Sequence, residues 1–365
     1  MIRWCGLRRI AARSGSQSLE WAAARRRFPD PRRSGEENEK RGQVSALHNN
    51  HMSYRSTQRS AGIILALLLI LASVASCNRK LPKSQIDPNA YGREINQWHQ
   101  ERLADLTGET GWLTLIGLYW LKEGQNTFGT GAANDIILPK EKMALRLGTF
   151  NVQNGSVTFE TPLPNVFFLD GRSVSSIDLK TDDEDKPTIL TTNPPDLSFQ
   201  IIKRGEKLGL RIKDKHSSAR INFHGLEFYP TDLKWRIDAQ FEQYNPPKPM
   251  PITNVLGMDT AESSPGAVKF EVDGKEYRLD AMTEKNEPRL FMIIADKTSG
   301  KDTYPAGRYL YVDPPDPSGH LVIDFNKAYS PPCAFTKFAT CPLPPRQNRL
   351  PIAVQAGERY KPHAN

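Results

Sequence analysis

The sequence predicts a mainly β protein: two packed β units, each a sandwich or barrel, preceded by one long amphipathic helix. Three observations carry this expectation. Beyond residue 106 the chain breaks into short apolar or alternating runs separated by Gly, Pro, Asn and Asp. Asn154-Gly155 and Asp170-Gly171 sit between β-rich arms, where two-residue hairpin turns form. A single stretch, from Tyr91 to Leu106, spaces its apolar residues (Tyr91, Ile95, Trp98, Leu106) for a helix, with Glu, Gln and Arg between them.

In chain order, residues 1–51 are rich in arginine and show no strand or helix period. A basic tail for nucleic acid is one reading. The next segment favours another. Residues 52–77, MSYRSTQRSAGIILALLLILASVASC, have Arg55 and Arg59, an apolar core from Ala61 to Ala72, and small residues before a cysteine. That is the build of a secretory signal. The apolar run is too short for a membrane span, which needs about 20 apolar residues. A signal works at a chain's start and Met52 is available, so 1–51 is expected to be disordered or untranslated. Without residues 1–76 the chain keeps 36 basic and 36 acidic side chains, against 49 and 41 in the whole sequence. The basic balance therefore belongs to the leader, and nucleic acid is not expected as a partner.

Residues 78–90 are polar with two prolines and read as a tether. The helix and a first β unit are expected over 91–245, and a second β unit over 246–365, with the boundary in the proline-rich YNPPKPMP of 244–251. After the hairpin GTFNVQNGSVTFE and the turn in VFFLDGRSVSSIDL, strands are expected at 197–203, 207–213, 219–223, 234–241, 267–272, 276–281, 289–295, 307–312, 320–325 and 350–355. No internal repeat is evident. Trp112, Trp120 and Trp235 are expected in cores.

The end of the signal, Val74-Ala75-Ser76-Cys77, resembles the bacterial lipobox, which implies that Cys77 is lipidated and becomes the mature N-terminus. Acyl chains, at about 0.8 kcal/mol per buried methylene, would hold the protein on a bacterial membrane, on its periplasmic or surface face. GWLTLIGLYWLKEGQNTFGTGAANDIILP, RIKDKHSSARINFHGLEFYP, TYPAGRYLYV and DFNKAYSPPCAFTKFATCPLPPRQNRLPIAVQAGE together resemble the bacterial and archaeal family named domain of unknown function 1684, over roughly residues 95 to 360. Ser330 and Gln347 depart from the Asn and Glu of that family's last motif. The resemblance implies a shared fold and site but no reaction. Within it, GQNTFGTGAANDIILP, GTFNVQNGSVTFE and FLDGRSV are similar to a forkhead-associated β-sandwich, a reader of phosphothreonine. Thr130 stands where that module needs an arginine, and MALRLGTF lacks its Ser and His, so the resemblance implies the scaffold without the phosphate site.

The sequence has no G-x-S-x-G, H-E-x-x-H, phosphate-binding glycine loop or C-x-x-C. Polar residues gather instead in the last quarter. In HLVIDFN, period two places His320, Asp324 and Asn326 on one face and Leu321, Ile323 and Phe325 on the other. Tyr304, Arg308, Asn348 and Glu358 stand in neighbouring segments. As a pocket for a small polar or anionic ligand, Arg308 would orient an anion and the asparagines would hold the ligand. In the alternative, a hydrolase of envelope material, Asp324 or Glu358 would be the base. As scaffold, Asp324, Asn326 and Asn348 would cap turns and Arg308 would pair a carboxylate. His216 and His224 lack partners at metal-ligand spacing, and the acidic run at 182–185 reads as a solvated loop, so neither metal nor cofactor is expected. Cys333 and Cys341 allow a metal clip, a reactive pair or a staple. Beyond the inner membrane a disulfide is the expected form, closing nine residues and contributing roughly 2.5 kcal/mol.

Overall fold

The computed structural model describes residues 86–138, 143–192 and 196–361. The leader, Cys77 and most of the tether lie outside the described residues, so the expectations for 1–51 and 52–77 are not addressed by it. Among the described residues no helix is long and apolar enough to cross a membrane. They belong to one compact unit, Ser84–Asn365, and the fold is mainly β with one long helix ahead of the strands.

That helix, α1 (Pro88–Thr107), starts where Asp87 accepts a hydrogen bond from the Asn89 amide and a proline takes the first helical position. Its buried residues are Tyr91, Ile95 and Leu106, as the helical spacing predicts.

The first β unit runs through β1 (Leu115–Trp120), β2 (Gly124–Gly129), β3 (Ile136–Ile137), β4 (Gly148–Gln153), β5 (Ser156–Glu160), β6 (Phe167–Leu169), β7 (Arg172–Ser173), β8 (Ser176–Leu179), β9 (Ile189–Thr192), β10 (Leu197–Arg204) and β11 (Lys207–Asp214). They form a six-stranded sheet, β1-β11-β10-β9-β6-β7, and a five-stranded sheet, β3-β2-β4-β5-β8. Alternating residues of both sheets fill one core, in which Phe128, Phe150, Phe159, Phe167 and Phe199 pack with ring centroids 4.7 to 6.1 Å apart. Asn154 and Gly155 turn the β4–β5 hairpin with φ of 51° and 80°. Both positive values are what a type I′ turn requires, and they make Asn-Gly the readable signal here.

The second unit starts after the short helix α2 (Ser218–Ile221) and comprises β12 (Glu227–Phe228), β13 (Arg236–Thr253), β14 (Asp259–Val272), β15 (Lys275–Asp280), β16 (Met282–Glu284), β17 (Glu287–Ile294), β18 (Arg308–Val312), β19 (His320–Asp324) and β20 (Glu358–Arg359). Sheet β15-β14-β13-β19 faces sheet β16-β17-β18 across a core containing Trp235, Phe270, Met292, Leu310 and Ile323. Phe291 and Ile293, on the far side of β17, join Met250, Ile252, Tyr309 and Cys341 in a second core beneath the proline-rich loop. The middle sheet is thus covered on both faces, which is why β17 reads as a continuous apolar run rather than an alternating one.

Three expectations are corrected. The proline-rich 244–251 is no boundary, because it lies inside β13. There the register with β14 shifts between Gln243 and Lys248, which takes in Pro246 and Pro247, while Pro249 and Pro251 pair with β14 beyond the reach of β19. The two main cores divide instead between Ile212 and Trp235. Residues 219–223 are not a strand, since Ser217 caps α2 by accepting from the Arg220 amide. Residues 350–355 run without strand pairing and are held singly, as where the Leu350 amide donates to the Ala295 carbonyl at 2.8 Å.

That last segment is anchored by a buried ion pair. Arg308 is fully buried and its Nη2 lies 2.8 Å from Asp296 Oδ2. The same guanidinium donates to the carbonyls of Val354 and Ala356. Asp296 Oδ1 accepts from the Thr298 and Val354 amides. Gly357 follows with φ of 75°, where a Cβ would meet the Ala328 carbonyl oxygen at 2.3 Å. Removing one partner of such a pair leaves an uncompensated buried charge or two orphaned carbonyls. Arg308→Met is expected to lower the unfolding free energy by about 3–5 kcal/mol in urea denaturation. A loss below about 1 kcal/mol, the worth of an exposed pair, would contradict the anchoring role.

Candidate functional site

The residues singled out in the last quarter of the sequence do not converge. Asp324 ends β19 and caps the following turn, accepting from the Asn326 amide at 3.1 Å and from Tyr91 Oη at 2.9 Å. Asn326 Nδ2 donates to Tyr91 Oη at 2.8 Å and to the Asp232 carbonyl at 2.9 Å. This group fastens α1 to β19. Burial raises the Asp324 carboxyl above its usual range, opposed by the hydrogen bonds from Asn326 and Tyr91, and burial followed by the Asp324 charge raises the Tyr91 phenol.

The strand alternation stops at Asp324, so Asn326 sits on a 3-10 turn and does not share a strand face with His320. His320 is partly exposed, with Nε2 3.3 Å from Asp238. Asn348 is buried and binds both backbone groups of Asp280, each at 2.8 Å. Tyr304 Oη donates to the Cys333 carbonyl at 2.9 Å. Glu358 is buried against Arg102 of α1, whose Nε lies 3.3 Å away and whose Nη2 donates to the Ser330 carbonyl. Arg308 belongs to the anchor described above. Asp324, Asn326 and Asn348 bond nearby backbone and Arg308 pairs Asp296, as the scaffold reading expects, although the Arg308 Nε has no partner.

The cysteines are also corrected. Cys333 and Cys341 are free thiols, not a disulfide. The Cys341 sulfur accepts from the Cys333 amide at 3.1 Å and is buried in the second core. The two thiols hydrogen-bond, which lowers Cys333 and raises Cys341. The tryptophans divide: Trp235 is core, whereas Trp112 and Trp120 are half-buried, with Arg211 and Lys207 over their rings. His216 pairs with Asp196 at 3.2 Å. Among the described residues no group of three or more His, Cys, Asp or Glu side chains is arranged to hold a metal ion.

Besides a hollow of about 1010 Å³ lined by Glu271, Lys275, Glu276 and Gln355, a concavity lies in the seam between the two β units. It encloses about 840 Å³. Leu113, Leu115, Ile116 and the turn around α2 form one wall, while Phe335, Phe338, Glu358 and Tyr360 form the other, with Phe223 and Leu226 crossing between. The lining is mostly apolar, and Lys337, Arg359 and Lys361 bring positive charge to it. Glu227 accepts Lys361 and faces Arg359 at 3.9 Å. Lys337 has no ion-pair partner among the described residues; it lies 5.4 Å from the Phe338 ring. Burial raises the Glu358 carboxyl, with Arg102 opposing. Strand and helix periods do not find this cavity, because it is built from four segments far apart in the chain, 113–116, 217–227, 335–338 and 358–361. The available signal is Phe223 and Leu226, apolar residues at the end of and just beyond the alternating run at 219–223 that misread as a strand.

Helix α1 also covers the strand that supplies this wall. His99 stacks on Phe228 of β12 with ring centroids 3.6 Å apart, and Trp98 meets both Phe228 and Tyr329. Strand β12 pairs with β20, which carries Glu358.

Fold and site together define a two-unit β protein with an apolar, cation-bearing seam cavity. Residues 221–359 match the family described as "Protein of unknown function (DUF1684)". This stretch covers the second unit and one wall of the cavity. An uncharacterized protein from Haloarcula marismortui, solved by NMR in solution, is 31% identical. That match covers 38% of this chain and 78% of the other, with a TM-score of 0.33. No curated protein matches the chain.

Burial lowers the His99 imidazole to about 4 from 6.5. Between those values the unfolded chain binds more protons than the folded one, so folding stability rises with pH across the window and is lost as pH falls. Urea midpoints measured from pH 7 down to about 4 are expected to decline in the native protein, and less steeply in His99→Phe. Equal slopes would show that the stacked histidine does not titrate as its burial requires.

Proposed function

We propose that the protein binds, without transforming it, a small amphipathic molecule with an apolar body and an anionic end in the seam cavity, while lipid on Cys77 holds it at the face of a bacterial membrane. The observation that carries the ligand is the combination of an 840 Å³ apolar enclosure with Lys337 on its wall lacking a carboxylate partner. Apolar lining with a few placed charges is the usual make-up of a small-molecule site. The lipobox-like end of residues 52–77 supports the anchor. For the first unit we propose a forkhead-associated scaffold that does not read phosphate. In support, the Thr130 hydroxyl is turned onto the Met143 and Ala144 carbonyls, each at 3.2 Å.

One observation favours a hydrolase as the second reading. Glu358 lines the cavity with a carboxyl raised by burial, the direction that favours a general acid. Against it, the cavity's Ser217 hydroxyl donates to the Leu113 carbonyl at 2.6 Å, and no base is paired to it.

Calorimetric titration with dodecanoate is expected to give one saturable site. Dodecanol should bind about tenfold more weakly for want of the charge, and Ala219→Trp, which narrows the cavity, should abolish binding. Absence of saturable binding in the unsubstituted protein, or unaltered binding in Ala219→Trp, would rule the site out. Turnover of an ester of the same acid that disappears in Glu358→Gln would establish the hydrolase instead.

A further inference from the structure

On β11 the residues alternate. Leu208, Leu210 and Ile212 enter the first core, while Arg211 and Lys213 face the other way, beneath Trp112. Arg211 retains only 7% of its exposure, yet its Nε and Nη2 have no hydrogen-bond partner. Buried guanidinium donors are ordinarily satisfied, because an unpaired buried charge is among the costliest defects a fold can carry. Asp182 and Cys341 lie near enough to favour its charge, but neither is a hydrogen-bond partner of Nε or Nη2. Arg204 lies close enough to repel it and already takes Asp182, at 2.8 Å, and the Thr340 hydroxyl, at 3.0 Å. Lys213, also within electrostatic reach, donates to the Thr110 carbonyl at 2.5 Å. Asp182, which favours the Arg211 charge, is thus already held by Arg204.

The orientation of the unpaired atoms is informative. The Trp112 ring lies 5.1 Å from the guanidinium carbon, an attraction a cation makes with a ring and that consumes no donor. Nε and Nη2 form one edge of the guanidinium, and their two N–H bonds run parallel. That edge matches the two oxygens of a carboxylate, the bidentate geometry that arginine supplies and lysine does not. Burial and the Arg204 charge bring the Arg211 pKa down only to about 10, so the group stays cationic at neutral pH.

We propose that Arg211, backed by Arg204 and Lys213 and seated against Trp112, is a binding site for the carboxylate group of a small ligand. None of these residues lines the seam cavity, so this site stands or falls separately from the ligand proposed there.

The test uses the purified full-length protein in a buffer free of carboxylate and phosphate. Acetate, benzoate and inorganic phosphate are titrated separately, reading thermal midpoint and heat. Saturable binding of a carboxylate that raises the midpoint is expected, with the response lost in Arg211→Met. That variant should also melt higher than the native protein without ligand, since it removes an unpaired buried charge. Arg211→Lys keeps the charge without the fork and should weaken binding about tenfold or more, which provides a second measure if the methionine variant fails to fold. The proposal is overturned if no carboxylate gives a saturable response, if the response survives in Arg211→Met and Arg211→Lys, or if phosphate alone binds. A crystal structure soaked in benzoate that shows only water on Nε and Nη2 would overturn it as well.

Discussion

The second β unit depends on one ion pair without solvent. Arg308 and Asp296 lie on either side of the connection between β17 and β18, and together they bind the backbone of residues 354–356. That backbone has no strand to pair with, so its carbonyls need donors from elsewhere once Val354 and Ala356 enter the core. A guanidinium with several donors in one plane supplies two carbonyls and a carboxylate at once. The irregular path of the chain after residue 325 is therefore a set of individually satisfied backbone groups wrapped on a regular sheet.

This wrapping creates the seam. Once Ala356 is fixed and Gly357 lies against the Ala328 carbonyl, Glu358 must pair with β12 and meet Arg102. The Arg102 guanidinium lies 4.6 Å from the Tyr329 ring, which commits α1 to the second unit. The cavity is what remains between that assembly and the turn leaving β11. Its walls belong to elements held for other reasons, so its shape is set before any ligand arrives.

Much of the strand framework was legible because its signals are local. LSFQIIKR and KLGLRIKD flank a glycine turn, Asn154-Gly155 announces a hairpin, and the helical spacing from Tyr91 to Leu106 matches α1. The site was not legible, because its geometry is non-local. Arg308 meets Asp296 twelve residues earlier and Val354 forty-six residues later, and no spacing rule joins them. Alternation likewise indicates that Arg211 faces away from the first core, but not that Trp112 covers it. The residues that looked most like a site, Asp324, Asn326 and Asn348, resemble one because polar groups that brace irregular backbone are chemically the same as polar groups that hold a ligand. The proline-rich 244–251 misled for a related reason: proline ends a central strand but is tolerated at a bulge, as at Pro246 and Pro247, and on a strand paired along one side, as at Pro249 and Pro251.

The order in which the chain closes its hydrogen bonds bears on synthesis. Every strand of the first unit finds its partners between residues 115 and 214, so that half can fold as it leaves the ribosome. The second unit cannot, since β12 waits for β20 and Arg308 waits for Val354 and Ala356. Until those residues emerge, a charged side chain and two core-facing strands have no finished surroundings. A chain that stalls or is clipped before residue 354 would therefore display a folded head and an open tail, a form that quality-control proteases recognise, and only complete molecules would persist.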